Sequence, residues 1–426
     1  MTYKELLHLR RAMVRYLSEH RAQCATFTEF RDHLNQTEEA EELLGLVDVF
    51  IDRFPDRARE TVSSTPRLIE ILDSLVRTRK PLFSFSEFSS YLACPRKHAF
   101  AYKERIQGLE RKSYFYIGRT VHAAIEAFFN QGEEAGWAEI GRAVTLEAAT
   151  YPDQKAQIQL DDLTAGFLFR VFVNVGWPRM QALGFEFCEA EKHLLTPIRT
   201  VNGNVSKYAF HGYLDSIFLG PDGRHYVHEV KTPGGWSAND ETLLEINPQV
   251  TYYLWLLREN GYDPAGVVYT VLQKPYVKPH KIKGYLVEGS TFGNKTEAKK
   301  YIKESGLDAE PEPFEREESL EEMRRRFEEK DDFDTYFHSY TVTRSRAEID
   351  DLVQNSYTLA RLCDRNTLET AVPNVGRDCG FCDYLELCRC WSIPEVVREL
   401  IGEKFTPKPS RIQMLETQHQ EAKIEH

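Results

Sequence analysis

The chain has 426 residues, with 54 Lys or Arg against 66 Asp or Glu, a formal charge of -12 and a pI near 5.7. That length suggests roughly two to four structural units at about 100–200 residues each, and the acidic balance excludes a general polyanion-binding surface, so any nucleic-acid contact has to be local. With 42% hydrophobic and 28% charged residues, 24 Gly and 19 Pro, the composition excludes a collagen-like or wholly disordered chain.

No apolar run approaches the roughly 18 residues of a bilayer span, and Lys4, His8, Arg10 and Arg11 interrupt any apolar leader. An intracellular, cytoplasmic protein with no membrane partner is therefore expected. Residues 1–80 read as short amphipathic helices. The clearest begins with Thr65 as N-cap and Pro66 at the first helical position, ahead of Leu68, Ile69, Ile71, Leu72 and Leu75. After Pro81 the chain turns aromatic and Ser-rich, then basic: residues 94–119 hold seven Lys or Arg and two Glu. Tyr102, Tyr114, Phe115 and Tyr116 are candidates to stack on unpaired bases, with Arg96, Lys97, Lys103, Arg105, Arg111 and Lys112 following phosphates. The alternatives are aromatics packed inside and a solvated charged face.

Residues 120–182 look helical, and 185–231 look like β-hairpins punctuated by Asn202-Gly203 and Pro221-Asp222-Gly223. Helix returns after Pro248. The strand-like run Val267-Val268-Tyr269-Thr270-Val271-Leu272 precedes a second basic stretch, Lys274, Lys278, Lys281 and Lys283, another candidate for phosphate contact. Residues 304–334 carry fourteen acidic and five basic side chains and read as an insertion or a mobile acidic helix. Residues 404–426 read as a polar, loosely held tail. There is no GxxxxGK[ST] phosphate loop and no GxGxxG fingerprint, so an autonomous ATPase or a dinucleotide enzyme has no support.

The strongest chemistry lies in Phe210 to Phe218, the turn at 221–223, and Tyr226 to Lys231. Pro, Asp and Gly fit a three-residue loop, a type I turn closed by a left-handed Gly, which sets Asp215 opposite Glu229 and Lys231 opposite Tyr213. Facing side chains lie about 5 Å apart, so both carboxylates and the ammonium point to one side. That grouping suits metal-assisted phosphodiester hydrolysis: a hard cation takes carboxylate oxygens, and the lysine polarises the attacking water or stabilises charge developing on phosphorus. A wet sheet face bearing Asp, Glu and Lys is the plainer reading of the same residues. Two more motifs add to it. Gly118 to His122 is expected to open one helix, and Asn247-Pro248 caps another that sets Gln249 and Tyr253 one turn apart.

Taken in order, Gly118-x-x-x-His122, Gly212-x-x-Asp215, Glu229-x-Lys231 and Gln249-x-x-x-Tyr253 resemble the RecB-like branch of the PD-(D/E)XK nucleases over roughly residues 83–391. The resemblance implies an α/β restriction-endonuclease-like core, with a central mixed β-sheet flanked by helices. It implies a Mg2+ or Mn2+ ion held by His122, Asp215, Glu229 and the Val230 carbonyl, with Lys231 catalytic and Gln249 and Tyr253 supporting it. The organisation expected is an N-terminal helical region (1–80), a nuclease domain (81–403) and the tail (404–426).

Cys379, Cys382 and Cys388 stand at Cx2Cx5C spacing, and Cys94 supplies a possible fourth thiolate from far upstream. Four thiolates satisfy either tetrahedral zinc or a 4Fe-4S cluster. The one-plus-three layout resembles cluster-bearing members of the same family, the AddB-type and CRISPR-associated RecB-like exonucleases, which implies a structural 4Fe-4S cluster closing the domain. Cys390 competes with Cys388 as last ligand. Cys24, Cys188 and Cys363 read as small buried residues. The function expected is a metal-dependent exonuclease on single-stranded DNA. An endonuclease or the nuclease subunit of a helicase or recombination partner is the runner-up, and an inactive DNA-binding scaffold is the rival of another class. DNA repair, phage recombination and CRISPR adaptation are all compatible with it.

Overall fold

A three-residue turn sets the register of the central sheet. Gly220 accepts from Gly223 N–H at 2.9 Å and donates to Arg224 O at 2.8 Å, while Gly223 takes φ +74°, a left-handed conformation that glycine adopts without a Cβ penalty. The hairpin thereby pairs Leu219 with His225 through Ser216 with His228, the register expected from Pro221-Asp222-Gly223.

The computed structural model describes residues 3–20, 24–36, 40–62, 67–69, 71–72 and 81–407. The start at Thr65-Pro66 and Leu75 lie outside them. Residues 67–69 and 71–72 are helical, with Leu68, Ile71 and Leu72 buried. Strands β1 (Leu82–Phe83), β3 (Glu186–Arg199), β4 (Val205–Leu219), β5 (His225–Lys231), β6 (Pro264–Leu272) and β10 (Phe337–Thr343) form one mixed sheet in the order β1-β4-β5-β6-β10, with β3 also on β4. β1 with β4 and β5 with β6 run parallel; the other pairs are antiparallel.

Helices cover both faces. On one, Pro248–Glu259 and Arg346–Arg365 pack Trp255, Leu256 and Cys363 against Phe210, Val227, Val267 and Tyr269. On the other, Ser113–Gln131 and Lys155–Val171 pack Val121, Ile125 and Phe169 against Val230 and Leu272. The N-terminal helices Tyr3–Glu19, Phe27–Leu34 and Glu41–Arg53 share a core with Leu82, Leu195 and Ala209 of β1, β3 and β4, and Arg10 Nη2 donates to Asn260 Oδ1 at 2.6 Å. The result is a mixed α/β fold with a central sheet between helices and a helical N-terminal region. No described helix is long and apolar enough to cross a membrane.

Several expectations change in three dimensions. The acidic segment is not a lone helix: β9 (Glu312–Glu317) pairs with β7 (Lys281–Val287), which also carries β8 (Ser290–Phe292), and the helix Leu320–Glu328 buries Met323 and Phe327. Glu315 sits between Lys281 and Lys283 at 2.8 and 3.1 Å, so the pairing of these strands neutralises half of the second basic stretch. The tail also begins ordered, since β11 (Phe405–Pro407) pairs with β2 (Ile106–Gly108). Residues 408–426 lie outside the described ones. Cys188 is exposed rather than buried, while Cys24 and Cys363 are buried.

Candidate active site

β4 is flanked on one side by β1 at its start and β5 at its end. Its β1 ladder spans Ala209 and Phe210, and its β5 ladder begins only at Ser216. Asp215 falls in the gap. There the strands part before the Asp215–Glu229 and Tyr213–Lys231 pairs expected from the hairpin, and the Asp215 carboxylate takes the place of the missing backbone acceptor: Val230 N–H donates to Asp215 Oδ2 at 2.9 Å. A strand split of this kind leaves backbone donors to be satisfied and opens room for side chains.

Helices from both faces reach the split. His122 does not open its helix but lies within Ser113–Gln131, its Nδ1 3.1 Å from Asp215 Oδ1. Burial alone would lower its pKa, but the charge and hydrogen bond of Asp215, with Glu229 behind, raise it to about 9. From the other side, Asn247 Oδ1 accepts from Gln249 N–H at 2.9 Å and starts Pro248–Glu259, on which Gln249 Nε2 donates to Tyr253 Oη at 2.6 Å. Gly212 permits this approach, because a Cβ there would come within 2.8 Å of Leu256 Cδ1. Burial, then the charges of Glu229 and Asp215, hold the Tyr253 phenol well above its ordinary pKa, so it stays a donor.

Lys231 Nζ lies 2.5 Å from Glu229 Oε1. Burial pushes Glu229 upward, and the Asp215 charge adds to this; burial opposes the Lys231 charge, but Glu229 outweighs it and raises the ammonium. Glu229 Oε2 is buried without a hydrogen-bond partner. Among the described residues no group of three or more His, Cys, Asp or Glu already converges as a metal centre. Instead the donors are satisfied pairwise, His122 by Asp215 and Glu229 by Lys231. Glu229 Oε2, buried without a hydrogen bond and with the Tyr253 phenol interacting with the same carboxylate, fits a hard cation.

Sequence reasoning missed Glu191. It lies between the paired positions Ala190–Ser216 and Lys192–Leu214, hence beside Asp215, with φ 45° in the left-handed region. Burial, then the charges of Asp215 and Glu126, push it up to about 7. The alternation Glu189-Ala190-Glu191 on a strand was the available signal.

The basic segment divides. Tyr114 and Phe115 are exposed, their rings 4.4 Å apart, at the start of the helix that carries His122. Tyr116 is buried, and so is Arg111, which bonds Glu147 at 2.8 Å and Asp161 at 2.7 Å rather than waiting for phosphate. Lys112 pairs with Asp383, and Arg96 and Lys103 donate to the backbone oxygens of Ala371 and Asp364.

Two of the four expected cysteines, Cys94 and Cys379, meet around one loop. Asn374 N–H donates to Cys94 Sγ at 3.5 Å, Asn374 O accepts from Cys379 Sγ at 3.7 Å, and Gly376 N–H donates to Cys379 Sγ at 3.5 Å. Burial raises the Cys382 thiol, and nearby Cys94 adds to the rise. Cys382 and Cys388 pack on a separate hydrophobic cluster with Phe100, Tyr384 and Phe405. Backbone N–H groups aimed at sulfur suit thiolate ligands, though the thiols do not close on one point.

No curated protein matches the chain. One solved structure, described as "Crystal structure of SSO0001", is 12% identical, with 72% of this chain and 85% of that one covered at a TM-score of 0.27, a likeness too loose to bear on function. The model of the PD-(D/E)XK nuclease superfamily, by contrast, matches residues 82–389, the stretch that runs from β1 through the carboxylates to Cys388. By that match, the chain belongs to the PD-(D/E)XK nuclease superfamily.

Proposed function

We propose that the protein is a Mg2+- or Mn2+-dependent deoxyribonuclease that degrades single-stranded DNA from an end. The observation that carries this reading is the strand split, where Asp215, paired with His122, and Glu229, paired with Lys231, stand on adjoining strands joined by Val230 N–H to Asp215, within a nuclease-family chain. His122, Asp215, Glu229 and the Val230 carbonyl would hold the metal, which when bound supplies Lewis-acid activation of water and of a phosphate oxygen. Lys231, freed from Glu229, stabilises charge on the phosphate or orients the attacking water. Tyr253, kept protonated, donates toward the carboxylates, and Gln249 fixes its hydroxyl.

Cys94, Cys379, Cys382 and Cys388 would hold a 4Fe-4S cluster as a structural tie, supported by the free thiols and by the N–H groups directed at Cys94 and Cys379. The exposed Tyr114–Phe115 pair supports the single-strand preference, since aromatic faces stack on unpaired bases of any sequence. Linear and covalently closed single strands at matched salt test the mode: linear DNA is degraded progressively and circles resist. Equal rates on both would establish the endonuclease reading instead.

A further inference from the structure

Next to the reacting groups, the chain leaves Lys231 through Thr232-Pro233-Gly234-Gly235 and forms a cleft that the chemistry above does not use. Its volume is about 380 Å³, and Lys231, Thr232, Pro233, Trp236, Leu243 and Asn247 are among the residues that line it. That lies at the small end of organic-ligand sites, about 300–1,000 Å³. Pro233, Trp236, Leu243 and Leu244 make its apolar side, while Lys231, Thr232, Asn247 and Asp240 make its polar side, the Asp240 carboxylate being engaged by Ser237 N–H and Oγ–H.

Two observations define the occupant. Trp236 is held by its edge and backed by the rings of Tyr340 and His338, with centroids 5.7 and 6.5 Å away, so one side of the indole is packed and the side lining the cleft is left for contact: Nε1–H donates to Tyr340 Oη at 2.9 Å, and Tyr340 Oη donates to Glu241 Oε1 at 2.5 Å. Glu241 belongs to the helix Ala238–Glu245, which also carries Leu243, so indole and leucine are tied into one unit. A pre-positioned aromatic loses little freedom when a ligand stacks on it. The second observation is continuity: the cleft shares Lys231 with the catalytic group, so its occupant lies on the path the substrate strand follows. Yet Leu243 stays 52% exposed, an apolar wall facing solvent.

We infer that this cleft receives the base of one nucleotide flanking the scissile phosphate, stacked on Trp236 with Leu243 and Pro233 as further apolar contacts, so that cutting requires an unpaired base. A base inside a duplex has both faces covered by its neighbours and cannot enter. This deepens the nuclease reading and rests on Lys231 acting at the phosphate. Because the contact is to the base's face, any of the four bases is accepted.

The test is a set of end-labelled single strands of one sequence, each with one abasic nucleotide at a different position, cut under single-turnover conditions with Mg2+. In the wild type, the bond at one fixed offset from each abasic position is cut about 5- to 100-fold more slowly than in the intact strand. In Trp236→Ala the intact strand is slowed by a similar factor and the abasic dip disappears. Leu243→Asp, a change on an exposed helix position that cannot unfold a core, shrinks the dip in the same way. Abasic strands cut at the intact rate at every offset, or a dip that persists in both variants, would overturn the inference while leaving the nuclease reading in place. Absence of metal-dependent cleavage of every intact strand would instead sink the nuclease reading, and this inference with it.

Discussion

The carboxylate edge and the cysteine cluster both gather residues far apart in sequence, and they do it by opposite means. At the edge, Asp215, Glu229 and Lys231 sit on β4 and β5, whose ladders with β3 and β6 set their positions without a ligand. At the cysteines, Cys94 joins two helices, Cys379 lies on the short turn Arg377–Phe381 and Cys388 on the six-residue helix Leu385–Cys390, with Phe381 93% exposed. Ladders position the first site; in the second, few hydrogen bonds link Cys94 to the loop around Asn374. A strand-borne site should therefore survive loss of its ion, whereas a loop-borne one depends on its ligand for closure.

The widest separation should appear in activity. Lys231→Ala lowers single-turnover cleavage about 10²–10⁴-fold, and EDTA abolishes it reversibly while shifting the melting temperature only slightly. Because Glu229 is buried against Lys231, this variant also loses some stability, a cost absent on EDTA treatment. Cleavage that continues after complete metal removal would reject the edge as a metal site.

The converse holds for the thiols. Cys94→Ala is expected to lose iron and sulfide, about four of each per chain in the wild type, together with folded stability, whereas Cys390→Ala keeps both. Iron and sulfide analysis beside thermal melts checks this. Stoichiometric zinc would replace the cluster in the account, and a cluster lost only in Cys390→Ala would exchange the last ligand.

Arg111 lies between the two regions, fixing the segment that leads from β2 into the helix of His122. Its guanidinium is buried between Glu147 and Asp161, so Arg111→Ala leaves Glu147 with only the exposed Arg119 and Asp161 with only Gln157, and should cost about 3–5 kcal/mol by denaturant titration. A cost below about 1 kcal/mol would mean that the anchor lies elsewhere.

The smallest effect belongs to Asp364, which ties the helix Arg346–Arg365 to β4 through Lys207 at 2.7 Å and Tyr208 at 2.8 Å. Burial would raise its carboxyl, but these two partners lower it overall. A depressed folded value contributes stability above the unfolded value, about 3.9, and loses it as pH falls through the folded one. Asp364→Asn should thus be less stable by about 1 kcal/mol at neutral pH and converge on the wild type in acid. A pH-independent difference in melting would assign the contact to packing.

Much of this architecture was legible in single segments. Pro221-Asp222-Gly223 determined a turn and a register, and Asn247-Pro248 a helix start that aligns Gln249 with Tyr253, because φ/ψ preference and capping are decided within a few residues. The order of Gly, His, Asp, Glu and Lys likewise pointed to the PD-(D/E)XK superfamily, to which the match over residues 82–389 assigns the chain. What the sequence could not determine was the fate of each charge. Arg111 and Lys281 look alike in a basic run, yet one is buried between two acids and the other is neutralised across a strand by Glu315. Likewise, only the divergence of β4 from β5 turned Asp215 toward Val230 and His122 instead of leaving it paired opposite Glu229. Those outcomes depend on which distant chain arrives beside a residue, and so on tertiary packing, because Coulomb and desolvation energies are set by neighbours in space rather than in sequence.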